Sequence, residues 1–166
     1  MAVKSVNDLL LDELRDIYHA EKQLVRALPK MAKKSKSDEL RQAFEHHLEE
    51  TKGQVDRLEQ VFEQLDARSS GKRCEAMEGL IEEAKEMMED ITTPEVLDAA
   101  MITAAQKVEH YEIASYGSVH ALAEALGHKD AARLLEQTLE EEKKADQKLN
   151  QIALSGVNQT ALQTAA

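Results

Sequence analysis

Apolar side chains recur every three or four residues along five stretches of the chain, the spacing that places them on one face of an α-helix. Two long stretches lie within residues 5–66, a short one covers residues 75–90, and two more long ones lie within residues 94–155. Leucine, alanine, glutamate and lysine, which favour helix, dominate these stretches, whereas glycine and proline are sparse. The pattern therefore predicts an all-α protein.

Several of the predicted helices begin or end at residues suited to those positions. Ser5 precedes the first helix, where its hydroxyl can accept a hydrogen bond from the free backbone amides. Thr93 and Pro94 mark the start of the fourth helix, because proline at the first helical position lacks an N–H that would be unpaired there. Gly127 is placed to end that helix in a left-handed conformation.

Two features depart from the regular pattern. Pro29 falls inside the first helix and predicts a kink or a local break. Residues 156–166 carry little pattern and are expected to form a flexible tail. Residues 1–166 together are expected to form a single domain.

A weak internal repeat relates the two halves of the chain. Residues 17–61 align without gaps to residues 108–152, with 10 of 45 positions identical, and the matches include Glu21 with Glu112. Two helical hairpins related in this way predict a four-helix bundle, in which residues 66–92 form the crossover and carry the short fifth helix.

Composition narrows the classes of function. With 32 acidic against 21 basic residues and a formal charge of −11, nucleic acid is not the expected partner, since phosphate binding requires clustered lysine and arginine. No stretch approaches the roughly 18 consecutive apolar residues of a membrane helix. A single cysteine, Cys74, excludes an intrachain disulfide, and the first residues lack the apolar run of a secretion signal, so a cytoplasmic protein is expected.

Glu21 and Glu112 occupy unusual positions in the pattern. Both fall near the centre of an apolar stripe, so we expect their carboxylates to point into the bundle. An ionised carboxylate in a dry interior costs several kcal/mol unless a cation or strong hydrogen-bond donors meet it. A metal cation would explain both residues, and the alternatives are pairing with a buried lysine or arginine or protonation through a raised pKa.

The other long helices carry further acidic and imidazole groups at a similar depth. His47 and Glu50 share a face of the second helix, although a histidine there can also simply be paired with its neighbouring glutamate. Glu109 lies one turn before Glu112, and in the last helix the sequence does not decide between two adjacent glutamates. The candidate metal ligands are thus Glu21, His47, Glu50, Glu109, Glu112, Glu141 and Glu142.

A set of carboxylates with a histidine, drawn from four helices, suits two ions of iron or manganese. The usual pattern has a glutamate on each of two helices and a Glu-x-x-His motif on each of the other two. This chain lacks both motifs, because Gly53 follows Glu50 at the third place and Lys144 follows Glu141. The residue types therefore favour a di-metal site, whereas their spacing departs from the common arrangement.

Several segments resemble the YciF-type bacterial stress proteins, the DUF892 family of the ferritin-like superfamily. The resemblance covers nearly the whole chain and is clearest in residues 17–24, 47–51, 74–84, 106–117 and 139–143. It implies a ferritin-like bundle similar to that of rubrerythrin, five-helix subunits forming a homodimer, and induction under stress. It also implies that Glu21, Glu50, Glu109, Glu112 and a glutamate of the last helix are the carboxylate ligands.

Two functions are consistent with these features. The first is a stress protein that holds a di-iron or dimanganese centre, without an organic cofactor, and handles peroxide, oxygen or iron. Any reductant would be a separate molecule, because the chain has no four-cysteine iron segment. The second is a non-enzymatic stress or interaction protein that kept the bundle without turnover, as the missing Glu-x-x-His motifs suggest.

Overall fold

A computed structural model describes residues 3–164, and every regular element in that range is helical. This confirms the all-α class. The elements are α1 (Val6–Lys34), α2 (Asp38–Gln64), α3 (Glu75–Asp90), α4 (Pro94–Ala125), α5 (Lys129–Ile152), a π-helical turn (Ala153–Val157) and α6 (Asn158–Thr164).

The helix starts use the residues that the sequence indicated, with one difference. The Ser5 hydroxyl accepts a hydrogen bond from the Asp8 N–H at 3.0 Å, which caps α1. Thr93 stands at the start of α4 but makes no capping hydrogen bond through its side chain. Pro94 occupies the first turn of α4. Because proline has no backbone N–H, one donor fewer needs a partner at this helix start.

Gly127 ends α4 as its position predicted. Its φ of +80° lies in the left-handed region, which glycine adopts without steric cost. The next residue, His128, donates its backbone N–H to the carbonyl of Ala123 at 2.9 Å, and this bond closes the helix end. The chain can therefore reverse within a few residues and start α5.

Two predicted departures from the helical pattern can be compared with the structure. Helix α1 continues through Pro29 to Lys34, so the local break does not occur there. The expected flexible tail is helical from residue 153 to 164, and Val157 is buried, while residues 165 and 166 lie outside the described range. The π-helical turn has more residues per turn than an α-helix, so the apolar residues in it are not spaced at the 3.6-residue period. The sequence pattern therefore did not indicate a helix there.

The four long helices form the predicted bundle. Helices α1 and α2 make one hairpin, α4 and α5 make the other, and the two hairpins pack through α1 against α4 and α2 against α5. The short helix α3 lies in the crossover and packs on α4 and α1. The predicted four-helix bundle with a short fifth helix in the crossover is thus confirmed.

The apolar core consists of two separate clusters along the bundle axis. One includes Leu24, Phe44 and Met101, and the other includes Ile17, Leu58 and Leu135. On every long helix, the buried residues between these two clusters are polar or acidic, for example Glu21 of α1, His47 of α2, Glu112 of α4 and Glu142 of α5. The bundle therefore has a polar layer enclosed between two apolar ones. Within the described range, no helix combines the length and the apolar character that spanning a membrane requires.

Candidate metal centre

Four acidic or imidazole side chains converge in the polar layer. His47 of α2, Glu109 and Glu112 of α4, and Glu142 of α5 each offer one ligand atom, and these atoms all lie within 4.8 Å of one another. All four residues are buried. We call these four residues the buried cluster.

Glu21 of α1 lies beside the buried cluster. It has no exposed surface, and the Tyr116 hydroxyl donates a hydrogen bond to its Oε1 atom. Burial raises the pKa of Glu21 to about 7, although the Tyr116 hydrogen bond and the nearby charge of His47 act in the opposite direction. A glutamate thus faces the bundle interior from α1, as its place in the apolar stripe predicted.

His47 is held in a defined orientation at the edge of the cluster. Its Nδ1 atom lies 3.3 Å from Glu50 Oε2, and its Nε2 atom lies 3.3 Å from Glu109 Oε1 and 3.6 Å from Glu142 Oε2. Metal-binding histidines commonly donate one ring N–H to a carboxylate while the other nitrogen binds the metal. The contact with Glu50 leaves Nε2 directed at the cluster in that way.

Seven buried side-chain atoms of this region have no hydrogen-bond partner among residues 3–164. They are Glu21 Oε2, His47 Nε2, Glu109 Oε2, both carboxylate oxygens of Glu112 and both of Glu142. Buried polar atoms almost always have a partner, and a group of unpaired carboxylate oxygens is especially costly. A cation among them would satisfy these atoms together.

The electrostatics of the metal-free cluster agree with this interpretation. Burial raises the pKa of Glu112 well above its usual value, and the nearby carboxylates of Glu142 and Glu21 raise it further. Burial also raises the pKa of Glu142. For His47, burial alone would lower the pKa, but the carboxylates of Glu109, Glu50 and Glu142 raise it well above its usual value. The cluster therefore retains protons that a bound cation would displace.

Protein cations do not fill the centre. Among residues 3–164, neither lysine nor arginine forms an ion pair with Glu21, Glu109, Glu112 or Glu142. Arg57, the arginine whose charge acts on Glu21, donates two hydrogen bonds of 2.9 Å to Glu141 instead. Pairing with a buried lysine or arginine thus does not account for the acidic groups of the interior.

The choice between Glu141 and Glu142 is decided by their surroundings. Glu142 has no exposed surface and points into the buried cluster. Glu141 is half-buried and accepts hydrogen bonds from Arg57, so its charge is already matched. Glu142 is therefore the glutamate of α5 that points into the bundle, and Glu141 lies outside the buried cluster.

Glu50 lies at the rim. Its side chain is 27% exposed and contacts the rings of His46 and His47, each at 3.3 Å. The hydrogen bond with His47 lowers the pKa of Glu50 despite partial burial. Of the seven predicted ligands, the structure brings five into the interior, namely Glu21, His47, Glu109, Glu112 and Glu142, with Glu50 beside His47.

The internal repeat holds for only part of the polar layer. Glu21 and Glu112 are repeat-mates and both are buried, but the repeat-mate of His47 is Thr138, and that of Glu142 is Thr51. Thr138 accepts a hydrogen bond from Arg57 at 2.6 Å. The candidate ligands His47 and Glu142 therefore have neutral hydroxyl residues as repeat-mates, whereas Glu112 has a second carboxylate, Glu21.

Tyr116 is a residue of the layer that the sequence analysis did not single out. It lies four residues after Glu112, so the two share a face of α4, and it has no exposed surface. The four-residue spacing from Glu112 was the feature of the sequence that could have identified Tyr116 as a buried neighbour. Tyr18 and Tyr111, which flank Glu21 and Glu112 in sequence, bond instead to Glu59 and Asp16.

The donor set fits a divalent metal ion. Carboxylates suit iron or manganese, and imidazole is compatible with iron and zinc, so four glutamates and one histidine favour a hard or borderline cation. The carboxylate oxygens of Glu112 and Glu142 accept no hydrogen bond from residues 3–164, and a bound cation would satisfy them. The residues present therefore fit the metal that the sequence suggested.

Known proteins are similar to this chain over nearly its whole length. The family model described as "Domain of unknown function (DUF892)" matches residues 5–162. Protein YciF of Escherichia coli strain K12 is 52% identical over 162 residues, which cover 97% of this chain and 98% of that protein.

Solved structures show the same architecture. The crystal structure of the E. coli stress protein YciF superimposes with a TM-score of 0.90 at 53% identity, covering 94% of this chain and 99% of that one. YcfI from Rhodopseudomonas palustris superimposes with a TM-score of 0.88 at 51% identity, covering 89% and 94%. A protein from Xanthomonas campestris shares the fold at a TM-score of 0.76 and 20% identity, covering 98% and 100%.

Proposed function

The chain belongs to the DUF892 family, and we propose that it is a ferritin-like stress protein that binds a di-metal centre, of iron or manganese, inside its helical bundle. The observation that carries the proposal is the group of buried carboxylate oxygens without hydrogen-bond partners in the polar layer. A buried charge cluster of this kind costs several kcal/mol per ion unless cations compensate it.

The ligands would come from three helices of the buried cluster and from α1. His47, Glu109, Glu112 and Glu142 would hold the metal, and Glu21 would add a fifth ligand. Four carboxylates with two oxygens each, together with one imidazole, would offer enough ligand atoms for two ions. Iron or manganese in this position would supply one-electron chemistry with peroxide or oxygen.

The surrounding residues would prepare the site for that chemistry. Glu50 orients His47, Tyr116 holds Glu21 in place, and the two apolar clusters restrict water. The stress role enters through the relationship to YciF, which is called a stress protein. An external reductant, a homodimer and a cytoplasmic location remain predictions of the same proposal.

Metal analysis after anaerobic titration tests the proposal. Protein treated with chelator and then given Fe(II) or Mn(II) should bind one to two ions per chain and unfold at a higher temperature. At 100 times the dissociation constant, binding adds about 2.7 kcal/mol, and therefore roughly 5–10 °C for a domain of this size. Binding of less than one ion per several chains, without a thermal shift, would refute it.

Two variants and a matched control locate the ligands. Glu112→Gln and Glu142→Gln should each abolish or strongly weaken binding, because each removes a charge that points into the cluster. Glu140→Gln is the control, since Glu140 lies on the same helix, exposed and paired with Lys143. Equal loss of metal in all three variants would contradict the assignment.

A non-enzymatic role is the second candidate. It is favoured by the asymmetry of the polar layer, where each repeat has a threonine at a position that is a ligand in the other repeat. Protein loaded with Fe(II) and mixed with peroxide distinguishes the two candidates. Rapid oxidation of the bound iron by peroxide supports the redox role, whereas tight binding without oxidation supports the non-enzymatic role.

A further inference from the structure

A cavity of about 430 Å³ opens to solvent between α2 and α5. Its walls include the apolar side chains of Phe44 and Leu149 and the small side chains of Ala43 and Ala145. The two alanines come from the facing helices α2 and α5, so their small size leaves the space open. The cavity has the size of a site for a small ligand.

The inner wall of this cavity is formed by two members of the buried cluster, His47 and Glu109. Glu109 is 2% exposed and His47 is 7% exposed. Both retain a buried polar atom without a hydrogen-bond partner, Oε2 in Glu109 and Nε2 in His47. The cavity thus leads from solvent to side chains that are still able to bind a ligand.

The mouth of the cavity carries a second pair of potential ligands, Glu50 and His46. Glu50 Oε1 lies 3.3 Å from His46 Nε2, and the His46 side chain is 76% exposed. The other oxygen of the same carboxylate lies 3.3 Å from His47 Nδ1. Glu50 therefore connects an exposed imidazole to a buried one.

We propose that divalent cations reach the buried cluster through this cavity, and that Glu50 and His46 form a transient cation site at its mouth. The inference rests on the proposed function, because it assumes that the buried cluster binds metal. It gives Glu50 a different role from the sequence prediction, which placed it among the permanent ligands. A carboxylate beside an imidazole is a suitable first contact for iron or manganese.

Lysines at the mouth oppose the passage of a cation to different degrees. Lys148 forms an ion pair of 2.8 Å with Glu39, and the two charges offset each other. Lys144 also lines the cavity, and its charge acts on Glu50. Removing the charge of Lys144 should therefore speed cation uptake, whereas removing that of Glu50 should slow it.

The test measures the rate at which metal-free protein takes up Co²⁺, followed by stopped-flow absorbance at pH 7. Glu50→Gln, which keeps a hydrogen-bond acceptor for His47, should slow uptake roughly tenfold. His46→Gln should slow it less, and Lys144→Gln should accelerate it about twofold or more. His110→Gln is the control, because His110 is exposed but lies outside the cavity, next to Asp146.

A steric variant tests the route without changing charge. Ala145→Leu narrows the cavity and should slow both uptake and release of Co²⁺. Ala121→Leu, at an exposed position of α4, is the matched control. In Ala145→Leu, His46→Gln, Lys144→Gln and the two controls, the final Co²⁺ stoichiometry and absorption spectrum should equal those of the wild type, which a defect in folding would not allow.

The outcomes separate this inference from the proposed function. Uptake at the wild-type rate in all the cavity variants overturns the route and leaves the metal centre in place. Loss of binding at equilibrium in Glu50→Gln shows a permanent ligand and also overturns it. Absence of Co²⁺, Fe²⁺ and Mn²⁺ binding by the wild type refutes the proposed function and this inference together.

Discussion

The hydroxyl of Tyr116 donates a hydrogen bond to Glu21 across the bundle, from α4 to α1, and neither residue has exposed surface. The bond connects two helices that belong to different hairpins. It gives one oxygen of Glu21 a partner and leaves the other free to face the cluster. Burial, followed by the nearby Glu21 carboxylate, raises the pKa of Tyr116, so the phenol stays protonated and remains a donor.

Tyr116→Phe should destabilise the metal-free protein by about 1–3 kcal/mol, because Glu21 loses its protein donor in a buried position. Urea unfolding measures the change. In the Glu21→Gln background, Tyr116→Phe should reduce the free energy of unfolding by less, since glutamine carries no negative charge for the Tyr116 hydroxyl to stabilise. Tyr18→Phe serves as the control, because its partner Glu59 lies outside the interior. An equal loss of unfolding free energy in both backgrounds would show that the Tyr116 hydrogen bond does not stabilise the Glu21 carboxylate.

The stability of the metal-free protein should fall as pH rises from about 5 to 7. In the folded state the pKa of Glu21 is about 7, against 4.5 for an unperturbed glutamate. Between these values the unfolded chain has lost a proton that the folded one keeps, so each pH unit reduces the free energy of unfolding. Glu21 alone would account for about 3 kcal/mol over the interval.

Other groups of the cluster act in the same direction. The raised pKa values of Glu112 and Glu142 extend the loss of stability to higher pH, and His47 adds to it above about pH 6.5. Urea unfolding at pH 5, 6 and 7 in the presence of chelator measures the slope, which Glu21→Gln should reduce. A stability that rises over this interval would show that the interior carboxylates are not protonated in the absence of metal.

Arg57→Ala should destabilise the protein by about 1–3 kcal/mol. The side chain is 14% exposed and donates to both Glu141 and Thr138, which would be left without this donor. Lys143→Ala, which breaks the exposed pair with Glu140, should cost less than about 1 kcal/mol. Thermal unfolding of both variants provides the comparison. Similar decreases in melting temperature would show that the partly buried Arg57–Glu141 pair stabilises the protein no more than the exposed Lys143–Glu140 pair does.

Two glycines should respond in opposite ways to alanine. Gly127→Ala should cost about 1 kcal/mol, because its φ of +80° is unfavourable for any residue with a Cβ atom. Gly53→Ala should stabilise the protein by about 0.4–1 kcal/mol, since Gly53 lies inside α2 and an added Cβ meets no atom within 4 Å. Urea unfolding measures both, and a gain at Gly127 would contradict the left-handed helix end.

The periodic pattern was sufficient for α1 to α5 and for the direction of Glu21 and Glu112, whereas it missed the helical segment of residues 153–164. Their inward direction follows from the helix period, because residues spaced by three or four positions share a face whatever the rest of the fold does. The spacing alone could not choose between Glu141 and Glu142. Adjacent residues differ by only 100° around the helix, and the choice depended on Arg57, which faces α5 from α2.

The sequence by itself determined the helical class, the bundle and the depth of the acidic layer, since these depend on contacts that are local or periodic along the chain. The tertiary structure decided which side chains meet. It brought Tyr116 to Glu21 and His47 to Glu109 and Glu142, and it left Glu50 at the rim. These contacts join helices far apart in sequence, and their distances depend on how the hairpins are rotated and packed, which no pattern within one helix can specify.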